Sequence, residues 1–140
     1  MQKKYLLGFD VGTSESKGTL TDLEGHVLAI ASAKHGIISP YPGFAEHDPI
    51  ADWMSDLKKV IRELLKQING RPEEIAAIGI STIMAAVTFV DENCEPLRNA
   101  ILYGIDTRCV KQTDEINEKI GIEKMQQEFG TICTVEHFGP

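Results

Sequence analysis

The feature that most constrains the fold is one apolar stripe. Ile50, Trp53, Leu57, Val60, Ile61, Leu64, Leu65 and Ile68 recur at the spacing that gathers side chains on a single face of an α-helix. Asp48 before Pro49 supplies a side-chain acceptor at the cap and a proline in the first turn. Asn69-Gly70 supplies the stop. A helix so patterned needs an apolar surface to lie on, and the residues ahead of it offer one. Tyr5 to Phe9 is a nearly unbroken apolar run, as expected of a strand buried on both faces. Gly18 to Asp22 and Val27 to Ala31 read as two further strands. Gly12 permits the first turn, and Asp22-Leu23-Glu24-Gly25 forms the second. Three strands joined by short turns make an antiparallel meander, cheap in loop entropy.

Beyond the helix, Pro72-Glu73-Glu74 opens a helical turn and Ile75 to Ile80 reads as a buried strand. Ala86 to Val90 is a further strand, closed by the turn Asp91-Glu92-Asn93, and Ala100 to Tyr103 is a short one. A helix is expected from Asp106 or Thr107 through Ile116 and Ile120 to Gly121, then a second around Met125 and Phe129. Thr131 to Pro140 shows no clear element, as in a chain that continues. The pattern predicts an α/β domain in which a mixed sheet opens with the meander and the long helix covers one face.

The 140 residues suffice for one domain with a proper core and are too few for two large ones. A formal net charge of -7 argues against a nucleic-acid backbone or an anionic membrane surface as partner. No apolar run approaches the roughly 20 residues that span a bilayer. Met1-Gln2-Lys3-Lys4 leads directly into a strand with no cleavage-site pattern, so no signal peptide is expected. Cys94, Cys109 and Cys133 are odd in number and far apart, and His26, His35, His47 and His137 lack ligand spacing. All seven read as ordinary residues of a reduced, cytoplasmic protein.

The chemistry concentrates in Asp10-Val11-Gly12-Thr13-Ser14-Glu15-Ser16-Lys17. A carboxylate ends the first strand, a glycine follows two residues later, then two hydroxyls and a cation at the start of the return strand. Such a turn can aim several backbone N–H groups at one anion. Thr13 and Ser14 add hydroxyl donors, Lys17 can neutralise charge, and Asp10 suits a magnesium ion held through water. A plain hairpin, with Asp10 capping the turn and both hydroxyls solvated, explains the same residues equally well. Neither a Walker loop nor a Rossmann fingerprint occurs.

The opening strand–turn–strand resembles the first phosphate motif of the sugar kinase–heat-shock–actin superfamily, with its RNase H-like fold. Further segments resemble one branch, the FGGY carbohydrate kinases. Pro42-Gly43-Phe44-Ala45-Glu46-His47-Asp48-Pro49 is similar to that family's "PGWAEQDP" stretch, and Ile75-Ala76-Ala77-Ile78-Gly79-Ile80-Ser81 to its "IAAIGIS" strand. Glu95 to Tyr103 is similar to "GxPLRPAILW", and Asp106-Thr107-Arg108 to the "DTR" that follows. The matches fall in family order and cover nearly the whole chain. The resemblance implies that residues 1–140 are an N-terminal domain fragment of a sugar or polyol kinase. It implies ATP and Mg2+ at Asp10, Gly12, Thr13, Ser14 and Lys17, with Asp10 toward the metal, and it admits a homodimer. It further implies that Met84, Ala85, Tyr103, Asp106 and Arg108 face the sugar, and that the general base and the second domain lie outside this stretch.

Three departures bear on the substrate. Where xylulose kinases carry Met-His and glycerol kinases Arg-Glu, this chain has Met84-Ala85, so the polar member is missing. Tyr103 stands for the usual tryptophan, and Gly104-Ile105 adds a residue before Asp106. Asp106 also fits as the cap of a helix starting near Thr107, with Arg108 paired to it or to Glu115. Two competing readings remain at this level: an actin-like or chaperone-type ATPase domain, and a degenerate sugar sensor that has lost turnover.

Overall fold

The computed structural model describes residues 2–135, which divide into two compact units. The first comprises the chain up to Ile37 together with Pro49–Ile83, and the second comprises Ile38–Asp48 together with the residues from Met84 on.

In the first unit, β1 (Tyr5–Val11), β2 (Glu15–Asp22) and β3 (Val27–Lys34) form the expected meander. β5 (Ile75–Thr82) joins β1 in parallel, so the sheet is mixed with the order β3-β2-β1-β5. The apolar stripe becomes α1 (Ser55–Gln67), which packs on β2 and β3. Val60, Leu64 and Leu65 meet Leu7, Phe9, Val11, Leu20, Ala29 and Ala31 in the core, with Trp53, Leu57, Ile61 and Ile68 around them. The helical segment starts at Pro49, as the Asp48-Pro49 pair predicts, but not as an α-helix. Pro49–Met54 forms a π-helical turn first, and this wider turn breaks the 3.6-residue phase. Ile50 is consequently exposed.

Burial on both faces, expected for Tyr5 to Phe9 and Ile75 to Ile80, is not found. Only alternate residues of β1 are buried, and Ile78 and Ile80 of β5 are exposed. Helix α1 covers one face of β1–β3, and β5 has a strand neighbour on one side only. Apolar strand residues therefore remain in contact with solvent.

Gly18 lies where α1 crosses β2. A Cβ there would collide with Val60 Cγ1 and stand 3.0 Å from Leu64 Cδ1, so only glycine lets the helix approach this closely. Gly18→Ala is expected to destabilise the fold by about 1–3 kcal/mol through overpacking. A denaturant midpoint equal to wild type would show that helix and strand can separate freely.

In the second unit, β4 (Glu46–His47) pairs antiparallel with β6 (Ala100–Ile101). The strand expected over Ala86 to Val90 reduces to two isolated bridges, Val87 to Ile101 and Val90 to Pro96. The turn at Asp91 holds, with its carboxylate accepting the N–H groups of Asn93 and Glu95. α2 (Val110–Ile120) and α3 (Ile122–Phe129) meet at Gly121, as expected, although α2 begins three residues after Thr107. Residues 131–135 form no helix or strand, and the rest of the terminal segment lies outside the described residues.

Candidate functional site

The anion-binding residues sit at one end of the first unit's sheet. Asp10 pairs with Lys17 and Val11 with Ser16 across the hairpin, and the N–H of Gly12 donates to the Glu15 carbonyl at 3.0 Å. A Cβ on Gly12 would lie 2.8 Å from that carbonyl oxygen, which accounts for the glycine two residues after Asp10. Asp10 is exposed, and its carboxylate makes no hydrogen bond or ion pair among the described residues. Lys17 is exposed and reaches the Glu15 carboxylate at 3.0 Å. That hydrogen bond, with the nearby charges of Glu15 and Asp10, raises the Lys17 pKa, so the side chain stays cationic. Thr13 is half-buried and Ser14 exposed. The hairpin thus brings together all five residues predicted for an anion and its metal.

Asp10 and Lys17 also border an open depression of about 440 Å³ on the sheet. Gly8, Gly79 and Ser81 line it with them, and Gly8 and Gly79 are register partners on adjacent strands. Two side-chain-free positions side by side keep this floor flat. Sequence reading missed the pair because Gly8 and Gly79 become neighbours only through the parallel β1–β5 register.

The second unit holds the residues predicted for the sugar. Met84 is exposed, Ala85 half-buried and Tyr103 exposed. Asp106 is buried and accepts the Ala45 N–H at 2.7 Å, the Arg108 N–H at 3.0 Å and the Arg108 guanidinium at 2.6–2.9 Å. Its carboxylate closes a turn on Arg108 instead of capping a helix at Thr107. Arg108 does not pair with Glu115. It also donates to Glu46 at 2.7 Å and lies 3.9 Å over the Phe44 ring. Arg98 and Asn99 donate to Glu46 at 3.0 and 3.2 Å.

Burial pushes the Glu46 and Asp106 carboxyls up. Hydrogen bonds from Arg108 to both, from Asn99 to Glu46 and from the Ala45 N–H to Asp106 outweigh it, so both groups sit below their ordinary values. The cluster is a preorganised set of charged groups around the β4–β6 pair. Glu46, Arg98 and Asn99 carry no signature of this role in the sequence, because the β4–β6 pairing alone brings them together.

Comparison with known proteins places these features in a family. The model of the FGGY family of carbohydrate kinases, N-terminal domain, matches residues 5–138. Xylulose kinase of Lactococcus lactis is 35% identical over 117 residues, covering 84% of this chain and 23% of that protein. Glycerol kinase of Carboxydothermus hydrogenoformans is 35% identical over 133 residues, covering 94% of this chain and 26% of the relative. Among solved structures, Plasmodium falciparum glycerol kinase with ADP superposes at a TM-score of 0.78 with 25% identity, over 97% of this chain and 27% of that one. The chain spans about a quarter of the length of the curated relatives it matches.

Proposed function

This chain belongs to the FGGY family of carbohydrate kinases, and we propose on that premise that the intact protein transfers a phosphoryl group from ATP to a hydroxyl of a sugar or polyol. The observation that carries the reading is the solvent-facing Asp10 carboxylate beside the glycine turn and the cationic Lys17. Residues 1–140 act in this reading as part of the N-terminal domain of a cytoplasmic enzyme without nucleic-acid or membrane partners. Among the described residues, no helix is long and apolar enough to cross a membrane.

Phosphoryl transfer depends chiefly on positioning and on offsetting charge. The turn supplies both: the backbone N–H groups and hydroxyls of Thr13 and Ser14 orient phosphate oxygens, and Lys17 neutralises them. Asp10 suits Mg2+, because its oxygens are hard ligands not engaged by the fold. Such an ion, when bound, offsets charge on the nucleotide phosphates. Met84, Ala85 and Tyr103 offer side chains to the sugar, while Asp106 and Arg108 hold the charged cluster of the same unit. The proton of the attacking hydroxyl goes to a general base outside these residues.

The test is ADP release by the intact protein over a panel of ketoses, aldonates and polyols with Mg2+. Release with one class of acceptor is expected. Acceptor binding without ADP release across the panel would replace the kinase with a sugar sensor. The 140-residue chain alone is expected to give no acceptor-dependent ADP, since it spans only about a quarter of the length of the curated relatives. Robust turnover by that chain would place the base within residues 1–140.

A further inference from the structure

We propose that His35 is a positioning residue that orients the backbone of the anion-binding turn, an inference that rests on the phosphate-binding reading of that turn. His35 follows β3, and its side chain is 1% exposed. The ring joins two elements: Nε2 lies 3.0 Å from the Gly12 carbonyl oxygen, and Nδ1 lies 2.7 Å from Oδ2 of Asp56 on α1. The backbone N–H of the same residue donates to the Ser14 carbonyl at 3.1 Å. One residue therefore holds a carbonyl at each end of the turn.

The direction of the Gly12 carbonyl matters because a peptide unit is a rigid plane. Its C=O and the following N–H point in opposite directions across a trans bond, so the bond to Nε2 aims the Thr13 N–H away from the His35 ring. Gly12 is the most rotationally permissive residue of the turn. Without an anchor its peptide plane can rotate, turning an N–H donor away from the anion and a carbonyl oxygen toward it. The structure supplies the anchor at that glycine.

The bond to Gly12 also fixes one ring proton. The Gly12 carbonyl only accepts, so Nε2 must donate. At Nδ1 the partner is a buried carboxylate, which Lys59 also approaches at 3.2 Å. Asp56 lies in the first turn of α1, whose Val60, Leu64 and Leu65 form part of the core, so the anchor chain runs from the turn through His35 into the packed helix.

Two measurements on the intact protein test this. A ring-nitrogen NMR spectrum should show His35 Nε2 protonated at neutral pH; an unprotonated Nε2 overturns the proposal without recourse to any variant. Titration with a fluorescent ADP analogue and Mg2+ should show His35→Phe weakening binding about five- to tenfold, the size of one ordinary lost hydrogen bond. His35→Gln, whose side-chain N–H can still reach the Gly12 carbonyl, should recover binding to within about threefold of wild type. Lower melting temperatures for both variants with unchanged affinity would leave His35 a packing residue and overturn its positioning role. Asp10→Asn in the same titration separates the layers. If it weakens binding and His35→Phe does not, only the His35 inference falls; if neither does, the phosphate reading falls first. Should His35→Phe not fold, the ring spectrum and His35→Gln decide, and a Gln variant that binds more than about tenfold weaker contradicts the proposal.

Discussion

Asp10→Asn is expected to lower acceptor-dependent ADP release by the intact protein by about 10²–10³-fold, the loss typical of removing one electrostatic partner of a reacting group. The substitution preserves shape, and the carboxylate makes no hydrogen bond that the fold requires among the described residues. Melting temperature should therefore stay close to wild type, which separates lost chemistry from lost structure. Lys17 sets the scale for the complementary change. Its bond to Glu15 joins two surface groups, with side chains 60% and 32% exposed, and exposed pairs are worth little. The lysine can leave Glu15 for a phosphate at small cost, and Lys17→Met should act mainly on nucleotide affinity. Unchanged turnover in Asp10→Asn would remove the hairpin from the phosphate site.

Elements whose signal is local were legible in the sequence. The helix was readable because Val60, Leu64 and Leu65 repeat along one stripe, and the meander because two short turns force neighbouring strands together. The five hairpin residues were readable for the same reason, since they lie within eight positions of one another. What escaped depends on contacts between distant segments. Nothing near His35 marks it as a partner of Gly12, twenty-three positions away, and it reads as an ordinary histidine. Glu46 and Arg108 are 62 positions apart and meet only after β4 pairs with β6. The π-helical opening ahead of α1 was missed for a different cause. Asp48-Pro49 is a sound helix-start signal, yet hydrogen-bond phase between α and π turns is not written in the spacing of apolar residues. Burial of β5 was misjudged because an apolar run records what a strand can bury, and Ile78 and Ile80 remain exposed.

The largest stability effect is expected in the second unit, from Arg108→Met. The guanidinium sits between two carboxylates whose side chains are 10% (Glu46) and 0% (Asp106) exposed. Methionine can keep the apolar stem over Phe44, but it leaves the buried Asp106 carboxylate without a cation and Glu46 with only the outer Arg98. Breaking a buried pair from one side costs about 3–5 kcal/mol. Arg98→Met is the internal control: Arg98 is 40% exposed on its side chain, and removing an outer partner should cost only about 0–1 kcal/mol.

The pH dependence should change sign as well. In the wild type both carboxyls titrate below their unfolded values. Their contribution is present above the ordinary range of about 3.9–4.3 and is lost as pH falls through the depressed folded values, so acid destabilises. In Arg108→Met the buried Asp106 is left without a cation while Glu46 keeps Arg98, which raises the folded pKa of Asp106 above its unfolded value. Stability of that variant should then increase as pH drops from about 7 toward about 4.5, because the folded state now binds the additional proton. Denaturant midpoints of the two proteins at both pH values check this. Parallel pH profiles would mean that the Arg108 bonds do not govern these carboxylates, and that the charged cluster is held by the β4–β6 backbone alone.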